Sequence, residues 1–591
     1  MSSKPLTPER SATRAVAIEN AEVARIFREL ADVLEVEGAN SFRIRAYRNA
    51  ARAVEELQDS VAAIVREDPH RLTSIPGIGE DLAGKIAEIV RTGRLAALDS
   101  EERKAPTGAV ELMQIPGLGP KRARALAERL GVHSLRALAD AARAGKIRTL
   151  PGFGATTEAK ILEELRAHEP HEGRMLLATA SQYAEQLVSY MRGLSGVERA
   201  EIAGSFRRCK ETVGDLDLLV CAAPRVRVAE HFTAYHEVEE VLANGPTRCS
   251  VRLRCGLQVD LRILPRVSYG SGLYYFTGSK AHNIAIRALG RKRGLKINEY
   301  GVFRGARRIG GSDEADVLDA VGLPWIPPEL REDRGEIEAA REGTLPTLVE
   351  ASDIRGDLQS HTTDSDGRDT LDAMAEAAQA LGYEYLAVTD HTPSVRVARG
   401  LDRAGFRQQM RRIDRLNARL RSLTVLKGAE VDIRLDGTLD LDDETLAALD
   451  IVFVAVHSHF ELAPEAQTRR LLRAITHPHV DVLGHPTGRL IGKRRGELFD
   501  LHAVCAAAAE HGVMLEVDAQ PDRLDLDDVA CRAAIDQGVR IVIDTDAHAT
   551  AELGFMRWGI AQARRGWAQR RHVANTLPLE RLRKLLHGGR G

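Results

Sequence analysis

The stretch 203–220 reads AGSFRRCKETVGDLDLLV and decides what fold the middle of the chain can adopt. Its last six residues, DLDLLV, predict a β-strand, so Asp215 and Asp217 project from the same face. Two adjacent carboxylates repel each other, and a hard divalent cation relieves that repulsion. A third carboxylate, Asp260, lies in a second predicted strand, LQVDLRIL. A lone Asp-x-Asp is usually a solvated strand end, but the three acids together indicate a metal site.

Small and basic residues precede this aspartate pair. Gly204 and Ser205 offer backbone N–H donors for a phosphate, and Arg208 adds positive charge. With the three carboxylates, this set suits two-metal nucleotidyl transfer, in which one ion activates a hydroxyl and the other holds a triphosphate.

Nearer the N-terminus, one short pattern occurs three times, as IPGIG at 75–79, IPGLG at 115–119 and LPGFG at 150–154. The glycines permit a tight turn between helices and let backbone N–H groups face outward where the second helix begins, a seat for phosphate. Such a seat reads no bases, so its expected ligand is DNA of any sequence. One copy would be an ordinary turn, but three favour binding. The candidate DNA-binding glycines are Gly77, Gly79, Gly117, Gly119, Gly152 and Gly154.

From residue 351 onward, apolar strands alternate with helices, as in a parallel α/β barrel. Histidines and acids follow six of these strands, and 12 of the 19 histidines lie after residue 350. Because the strand ends converge on one face of a barrel, these side chains should meet there. Imidazole and carboxylate together suit Zn²⁺, Mn²⁺ or Fe²⁺. A single buried histidine is more often structural, but six strand-end repeats favour a metal site.

Composition bounds the class of protein. The 591 residues are 44% hydrophobic and 28% charged, which is ordinary for several globular domains and excludes a fibrous or wholly disordered chain. No apolar run approaches ~18 residues and the N-terminus has no apolar core of a signal peptide, so no membrane span or secretion is expected. The six cysteines form no CxxC pair, which indicates reduced thiols. The expected location is cytoplasmic and nucleoid-associated.

The acidic motif resembles the palm of family X DNA polymerases, within the nucleotidyltransferase superfamily. The resemblance continues through YFTGSKAHN at 275–283 and through INEY at 297–300. It implies contacts to the incoming nucleotide and to the template side of DNA. The implied nucleotide-binding residues are Gly204, Ser205, Arg208, Arg174, Tyr275, Gly278 and Asn283, and the implied DNA-binding residues of the thumb are Arg287, Asn298 and Glu299.

The first hairpin region resembles the lyase domain of DNA polymerase beta. Lys85, in GEDLAGKI, falls at the position of that family's lyase lysine, which forms a Schiff base with an abasic sugar. From spacing alone it is a solvated surface lysine. Arg43 falls at a phosphate-binding position, whereas Asp81 replaces another family lysine.

The C-terminal array resembles the polymerase-and-histidinol-phosphatase (PHP) domain. That resemblance implies up to three ions of Mn²⁺, Zn²⁺ or Fe²⁺. The family's opening His-x-His is Gln359-Ser-His361 here, so one metal position is expected to be weakened, remodelled or empty. The implied ligands are His361, Asp366, His391, Glu430, His457, His485, Asp546 and His548.

The predicted fold class is multidomain α/β and α, with helix-hairpin-helix domains, a mixed-sheet palm, a thumb and a (β/α)7-like barrel. The predicted domains are a lyase-like domain at 1–95, a fingers-like domain at 96–170, a nucleotidyltransferase palm at 171–265, a thumb at 266–325, a linker at 326–350 and a PHP phosphoesterase at 351–591.

This order matches a bacterial-type family X DNA polymerase with a C-terminal PHP domain. It implies a monomer that fills gaps or nicks in DNA from dNTPs during repair, including base excision repair. Asp215, Asp217 and Asp260 would hold two Mg²⁺ or Mn²⁺ ions, with Asp260 the best base candidate for the primer 3′-hydroxyl. The PHP part would be a 3′–5′ exonuclease and an abasic-site endonuclease. Two alternatives remain open: a catalytically dead, DNA-holding PHP domain, motivated by Gln359, and a phosphatase of small molecules. An RNA nucleotidyltransferase is a weaker alternative, because three hairpins favour duplex DNA.

Overall fold

The structure is a computed structural model that describes residues 20–586 except 38, 56, 58–60, 93, 103–111, 113–114, 116–117, 155–156, 163–173, 224–225 and 396–397. The chain divides into two compact units. The first runs through Arg166 and includes Ala234–Val238, and the second comprises the remaining chain.

The first unit is helical, as predicted. Apolar residues at helical spacing, such as Phe27, Leu30 and Leu34, are fully or almost fully buried and form its core with later helices. A second cluster around Leu126 and Leu138 packs the region of the later hairpins. The helices are Asn20–Glu37, Ser41–Glu55, Val61–Glu67, Glu80–Thr92, Ala96–Glu102, Pro120–Leu130, Leu135–Arg143 and 157–162.

The palm is a five-stranded mixed sheet whose residues, apart from Val238, belong to the second unit. Asp215–Ala222 pairs in parallel with Gln258–Ile263, and this register sets Asp217 directly opposite Asp260. The strand order is Val197–Ile202, Asp215–Ala222, Gln258–Ile263, Arg248–Leu253 and Val238–Asn244. A small pair, Met175–Leu176 with Thr212–Val213, and the helices Leu177–Arg192, Gly204–Arg207 and Val228–Thr233 complete it.

The thumb follows as helices and an antiparallel three-stranded sheet. The helices are Tyr269–Thr277, Lys280–Lys292 and Ala315–Ala320, and the strands are Leu295–Asn298, Gly301–Arg304 and Arg307–Gly310.

The segment 326–350, expected to be a linker, is folded and packed against the thumb. It contains the helix Glu336–Glu342. Ile326, Leu330 and Ile337 join the thumb's apolar cluster, and Arg331 is fully buried against Glu314.

The C-terminal region is a parallel seven-stranded barrel in sequential strand order, which confirms the predicted (β/α)7-like fold. A parallel bridge between Ser360 and Ala547 joins the first and last strands beyond their ends. The strands are Gly356–Asp357, Tyr385–Val388, Thr424–Asp432, Ile451–Ala455, Val482–Leu483, Met514–Asp518 and Ile541–Asp544. The helices are Leu371–Ala380, Arg403–Asn417, Asp443–Leu446, Pro464–Ile475, Leu501–His511, Asp528–Asp536, Met556–Arg565 and Leu579–Leu585. Among all the described helices, none is long and apolar enough to cross a membrane.

Candidate active sites

The three palm aspartates converge. One carboxylate oxygen from each of Asp215, Asp217 and Asp260 lies within 4.8 Å of the other two. Burial and the neighbouring charges of Asp215 and Asp260 raise the pKa of Asp217 to about 7. Burial and Asp260 likewise raise the pKa of Asp215. The donor set therefore fits divalent ions, because positive charge would relieve this repulsion.

Asp260 is the most firmly oriented of the three. Ser250 Oγ donates a hydrogen bond to its Oδ1, and Gln258 Nε2 lies 3.3 Å from its Oδ2. The residue is 8% exposed. Its orientation is thus fixed by two neighbours on the sheet.

Gly204 lies directly against the triad. Its φ is +64°, a conformation that favours glycine, and a Cβ at this position would lie 2.4 Å from Asp217 Oδ2. Its carbonyl accepts a hydrogen bond from Arg208 N at 3.3 Å. The local turn therefore brings the phosphate-binding candidates beside the metal ligands.

The predicted triphosphate residues meet around one cavity. Arg174, Ser205 and Arg208 line a space of about 420 Å³. Arg174 donates to the hydroxyl and the carbonyl oxygen of Thr212, at 2.9 and 2.5 Å. Arg208 Nη1 donates to Thr277 O, next to Gly278. The structure thus brings the palm candidates and the predicted Phe-Thr-Gly turn together.

The remaining nucleotide and template candidates lie on the thumb. Asn283 Nδ2 donates to Tyr275 O at 2.7 Å, which links two of the predicted nucleotide contacts. Arg287 is exposed on the helix Lys280–Lys292, and Asn298 and Glu299 are partly exposed where the next strand ends. Their template role remains a prediction.

The hairpin glycines have the exposure that backbone binding requires. Gly77 and Gly152 have φ values of +85° and +88°, so the turns depend on glycine. A Cβ at any of the five described hairpin glycines would meet nothing within 4 Å. These are Gly77, Gly79, Gly119, Gly152 and Gly154, whereas Gly117 lies outside the described residues.

Lys85 makes an ion pair with Asp81, the residue that replaces a family lysine. Its Nζ also lies 5.8 Å from the centre of the Tyr47 ring. Arg43 pairs with Glu101 at 3.3 Å. The lyase role of Lys85 remains a prediction, and its amine would first have to leave Asp81.

The barrel gathers seven of the eight predicted PHP ligands into three overlapping groups, each with ligand atoms within 4.8 Å of one another. His361, His391 and Glu430 are each shared by two groups. The groups are His361–Asp366–His391–His548, His391–Glu430–His457 and His361–Glu430–Asp546. The eighth, His485, places Nε2 2.8 Å from Glu430 Oε1. The array is therefore one continuous centre.

Unsatisfied buried atoms show that this centre fits metal ions. His361 is fully buried and, among the described residues, neither of its ring nitrogens makes a hydrogen bond, although Nε2 lies 2.9 Å from Asp546 Oδ1. His391 Nδ1 and His485 Nδ1 are also buried and unsatisfied. Buried polar atoms without partners are costly, and coordination to an ion would satisfy them.

Charge within the centre is balanced between imidazoles and carboxylates. Although burial opposes protonation, Glu430 and Asp432 raise the pKa of His457 to about 9. Burial likewise opposes ionisation of Asp366, but His391 and His548 hold its pKa well below the usual range. Bound metal cations would replace the protons that balance the carboxylate charge when no metal is bound.

Two acids at strand ends support the predicted ligands. Asp432 Oδ1 lies 3.1 Å from His457 Nδ1 and orients that ring. Asp390 accepts hydrogen bonds from Thr362 and Ser365, which fixes the loop that carries Asp366. Sequence reasoning missed Asp432, and the signal that could have found it is its position at the end of the apolar strand Thr424–Asp432.

Buried carboxylates beneath the centre were also missed. Burial and the neighbouring charge of Asp544 raise the pKa of Glu516. Burial and the charges of Asp357 and Asp546 raise the pKa of Asp544. Glu516 also accepts a hydrogen bond from the backbone N–H of His485. These acids thus support the strand ends that present the ligands.

Gln359 occupies the position of the missing family histidine. It is fully buried, and neither its amide nitrogen nor its amide oxygen has a hydrogen-bond partner in the described part of the chain. The site is therefore altered at this position, while the three ligand groups persist without it.

A carboxylate triad on a mixed sheet, followed by a histidine-rich parallel barrel, defines a chain with two metal-dependent phosphoryl-chemistry sites. Four family models match: helix-hairpin-helix domain at 18–95, SAM-like helix-hairpin-helix tandem at 109–167, DNA polymerase beta thumb at 272–332 and PHP domain at 357–518.

Relatives extend the match along nearly the whole chain. The "DNA polymerase/3'-5' exonuclease PolX" of Bacillus subtilis is 37% identical over 564 residues, 95% of this chain and 98% of the relative. DNA polymerase lambda of Arabidopsis thaliana is 24% identical over 53% of this chain and 62% of its own length. A "Probable phosphatase" of Thermoanaerobacter sp. is 29% identical over 34% of this chain and 80% of its own length. The chain belongs to the bacterial family X DNA polymerases that carry a PHP domain.

Proposed function

We propose that this protein is a DNA-directed DNA polymerase that fills short gaps during repair and that its PHP domain is a 3′–5′ exonuclease. The observation that carries the polymerase function is the convergence of Asp215, Asp217 and Asp260 on one point. The names of the Bacillus and Arabidopsis relatives support both the synthetic activity and its use of DNA.

Each palm residue has a role in this proposal. Asp215, Asp217 and Asp260 would hold two Mg²⁺ or Mn²⁺ ions, which supply Lewis-acid activation of the primer hydroxyl and neutralise the triphosphate. Asp260, oriented by Ser250 and Gln258, accepts the proton of that hydroxyl. Arg208 binds the triphosphate.

DNA binding is assigned to the hairpins and the thumb. The exposed hairpin glycines bind the backbone of gapped or nicked DNA, and Arg287, Asn298 and Glu299 contact the template side. The protein acts as a monomer on dNTPs. The five predicted domains, at 1–95, 96–170, 171–265, 266–325 and 351–591, remain part of the proposal, whereas 326–350 is folded with the thumb.

The test is extension of a 5′-labelled primer on gapped DNA, with and without dNTPs, in Mg²⁺ or Mn²⁺. Asp215→Ala should abolish nucleotide addition and leave shortening of the primer unchanged. Asp319→Ala, at an exposed aspartate of the thumb, is the matched control and should extend normally. Retained extension by Asp215→Ala would overturn the assignment.

The nuclease part rests on the three overlapping ligand groups of the barrel. The eight predicted PHP ligands would hold up to three ions of Mn²⁺, Zn²⁺ or Fe²⁺, which would supply hydroxide and Lewis-acid activation for cleavage of a phosphodiester. The chain's own contribution is to converge the ligands and to bury most of them, while Asp366, His457 and His548 stay partly exposed.

A double variant, His457→Ala with His485→Ala, should lose digestion of 3′-ended DNA and retain extension. The exposed His502→Ala is the control. If the double variant digests DNA at the wild-type rate, the digestion comes from a contaminating nuclease, and a catalytically dead PHP domain is favoured. Faster hydrolysis of a free phosphomonoester than of DNA would favour the phosphatase alternative, which the Thermoanaerobacter relative's name suggests.

A further inference from the structure

The cavity of about 420 Å³ at the triphosphate candidates has a second wall built by the PHP domain. Both domains belong to the second unit, so this wall is part of one compact body. The palm wall includes Arg174, Ser205 and Arg208, and the PHP wall includes Asp528, Gln562 and Arg565.

Arg565, the last residue of the helix Met556–Arg565, joins the PHP domain to Arg208. Its side chain is 1% exposed, and its Nη1 donates to Arg208 O at 2.7 Å and to Glu332 Oε1 at 3.1 Å. The same Glu332 oxygen accepts from Arg208 Nε at 3.0 Å. Arg565 thereby fixes both the backbone of Arg208 and the carboxylate that orients its guanidinium.

A second PHP arginine holds the other end of the same loop. Arg489 Nη2 lies 2.7 Å from Glu211 Oε2, and the two side chains are 14% and 25% exposed. Glu211 precedes Thr212, which accepts both hydrogen bonds of Arg174. The loop 208–211 is therefore held at both ends by the PHP domain.

The loop between these contacts has an uncommon backbone. Cys209 has a φ of +54°, which costs free energy for a residue with a Cβ and persists only where the surroundings enforce it. The arginine contacts on either side of Cys209 are such surroundings. The shape of the loop thus depends on contacts from outside the palm.

We propose that Arg565 and Arg489 are positioning residues for nucleotide binding, through which the PHP domain holds the loop 208–211 in the shape that presents Arg208 to a triphosphate. The inference rests on the proposed polymerase function. A displaced loop weakens binding of the nucleotide in both ground and transition states, so KM for dNTP should change more than kcat.

The test is steady-state gap filling by the full-length chain with Arg565→Lys and with Arg489→Ala, with exonuclease rates measured on the same preparations. Each variant should raise KM for dNTP at least tenfold, change kcat by less than threefold and leave the exonuclease rate unchanged. Arg557→Ala is the matched control. Arg557 lies on the same helix as Arg565 and pairs with the palm residue Glu185 at 3.3 Å, outside the loop, so its KM should be that of wild type.

A double-variant cycle separates positioning from general destabilisation. Glu211→Gln should raise KM as Arg489→Ala does, and combining them should add nothing, because both remove one ion pair. Independent effects in the cycle, or wild-type KM values in folded Arg565→Lys and Arg489→Ala, would overturn the inference. If Arg565→Lys does not fold, the Arg489 and Glu211 cycle decides the question alone. A wild-type chain that never extends primers would instead refute the polymerase function, so the two failures are distinguishable.

Discussion

Substituting Gly204 by alanine tests the geometry of the palm site most directly. The new Cβ would lie 2.4 Å from Asp217 Oδ2, whereas ordinary contacts begin at 3.4 Å, so the carboxylate must move by about 1 Å. A displacement of about 1 Å at a reacting centre costs on the order of 100-fold in rate. The left-handed backbone adds about 1 kcal/mol of strain for alanine. Gly204→Ala should therefore lower kcat of gap filling about 100-fold, with little loss of stability.

The assay is single-turnover extension of a gapped primer at saturating dNTP, with the exonuclease rate as an internal reference. Gly305→Ala is the matched control, because Gly305 has a φ of +59° and open space where its Cβ would lie. Gly305→Ala should show the small loss of stability that backbone strain causes, without a loss of the extension rate. Extension by Gly204→Ala within threefold of wild type would refute the placement of Gly204 over Asp217.

Four further predictions concern charge, packing and metals. Burial raises the pKa of Asp217 to about 7, above its unfolded value of about 3.9, so ionisation of this carboxyl destabilises the folded protein at high pH. Asp217→Asn should therefore raise the Tm measured in EDTA at pH 8. The increase in Tm should become smaller as the pH is lowered towards 5. His282→Ala removes the buried partner of both Glu336 and Tyr274 and should cost about 2 kcal/mol; an unchanged urea midpoint would contradict this. EDTA should lower the Tm and Mn²⁺ restore it, and Glu430→Gln should abolish most of that shift in thermal scans, because Glu430 belongs to two ligand groups. Lys85→Ala should abolish borohydride trapping of the protein on abasic DNA, whereas Asp81→Ala, which frees the Lys85 amine, should increase trapping. Equal trapping by the wild type and both variants would exclude Lys85 as the nucleophile.

The sequence was sufficient where chemistry is encoded by local spacing. Asp215 and Asp217 share a strand face because side chains alternate, and the strand-end histidines meet because parallel strands end on one side of a barrel. The hairpins were equally visible, since a repeated Pro-Gly pattern marks a turn. In each case a short motif and a general rule of backbone geometry determine the placement.

Contacts between distant segments could not be predicted in this way. Asp432 orients His457 from a neighbouring strand, and Arg565 reaches Arg208 across a domain boundary. Proline and charge made 326–350 look like a linker, but its charged Arg331 is buried because Glu314 and the ring of Trp325 receive it. Pairings of this kind depend on tertiary packing, which periodicity does not encode.

The apolar cluster of the thumb contains Trp567, which the PHP region contributes, next to Leu330 and Ile337. Trp567 is 8% exposed, and Arg532 covers its ring at 4.1 Å. A truncated polymerase that stopped at residue 350 would leave this apolar surface open to water and prone to aggregation. An evolutionary lineage that discarded the barrel would need compensating substitutions at these thumb positions, so the two halves of the gene are not freely separable.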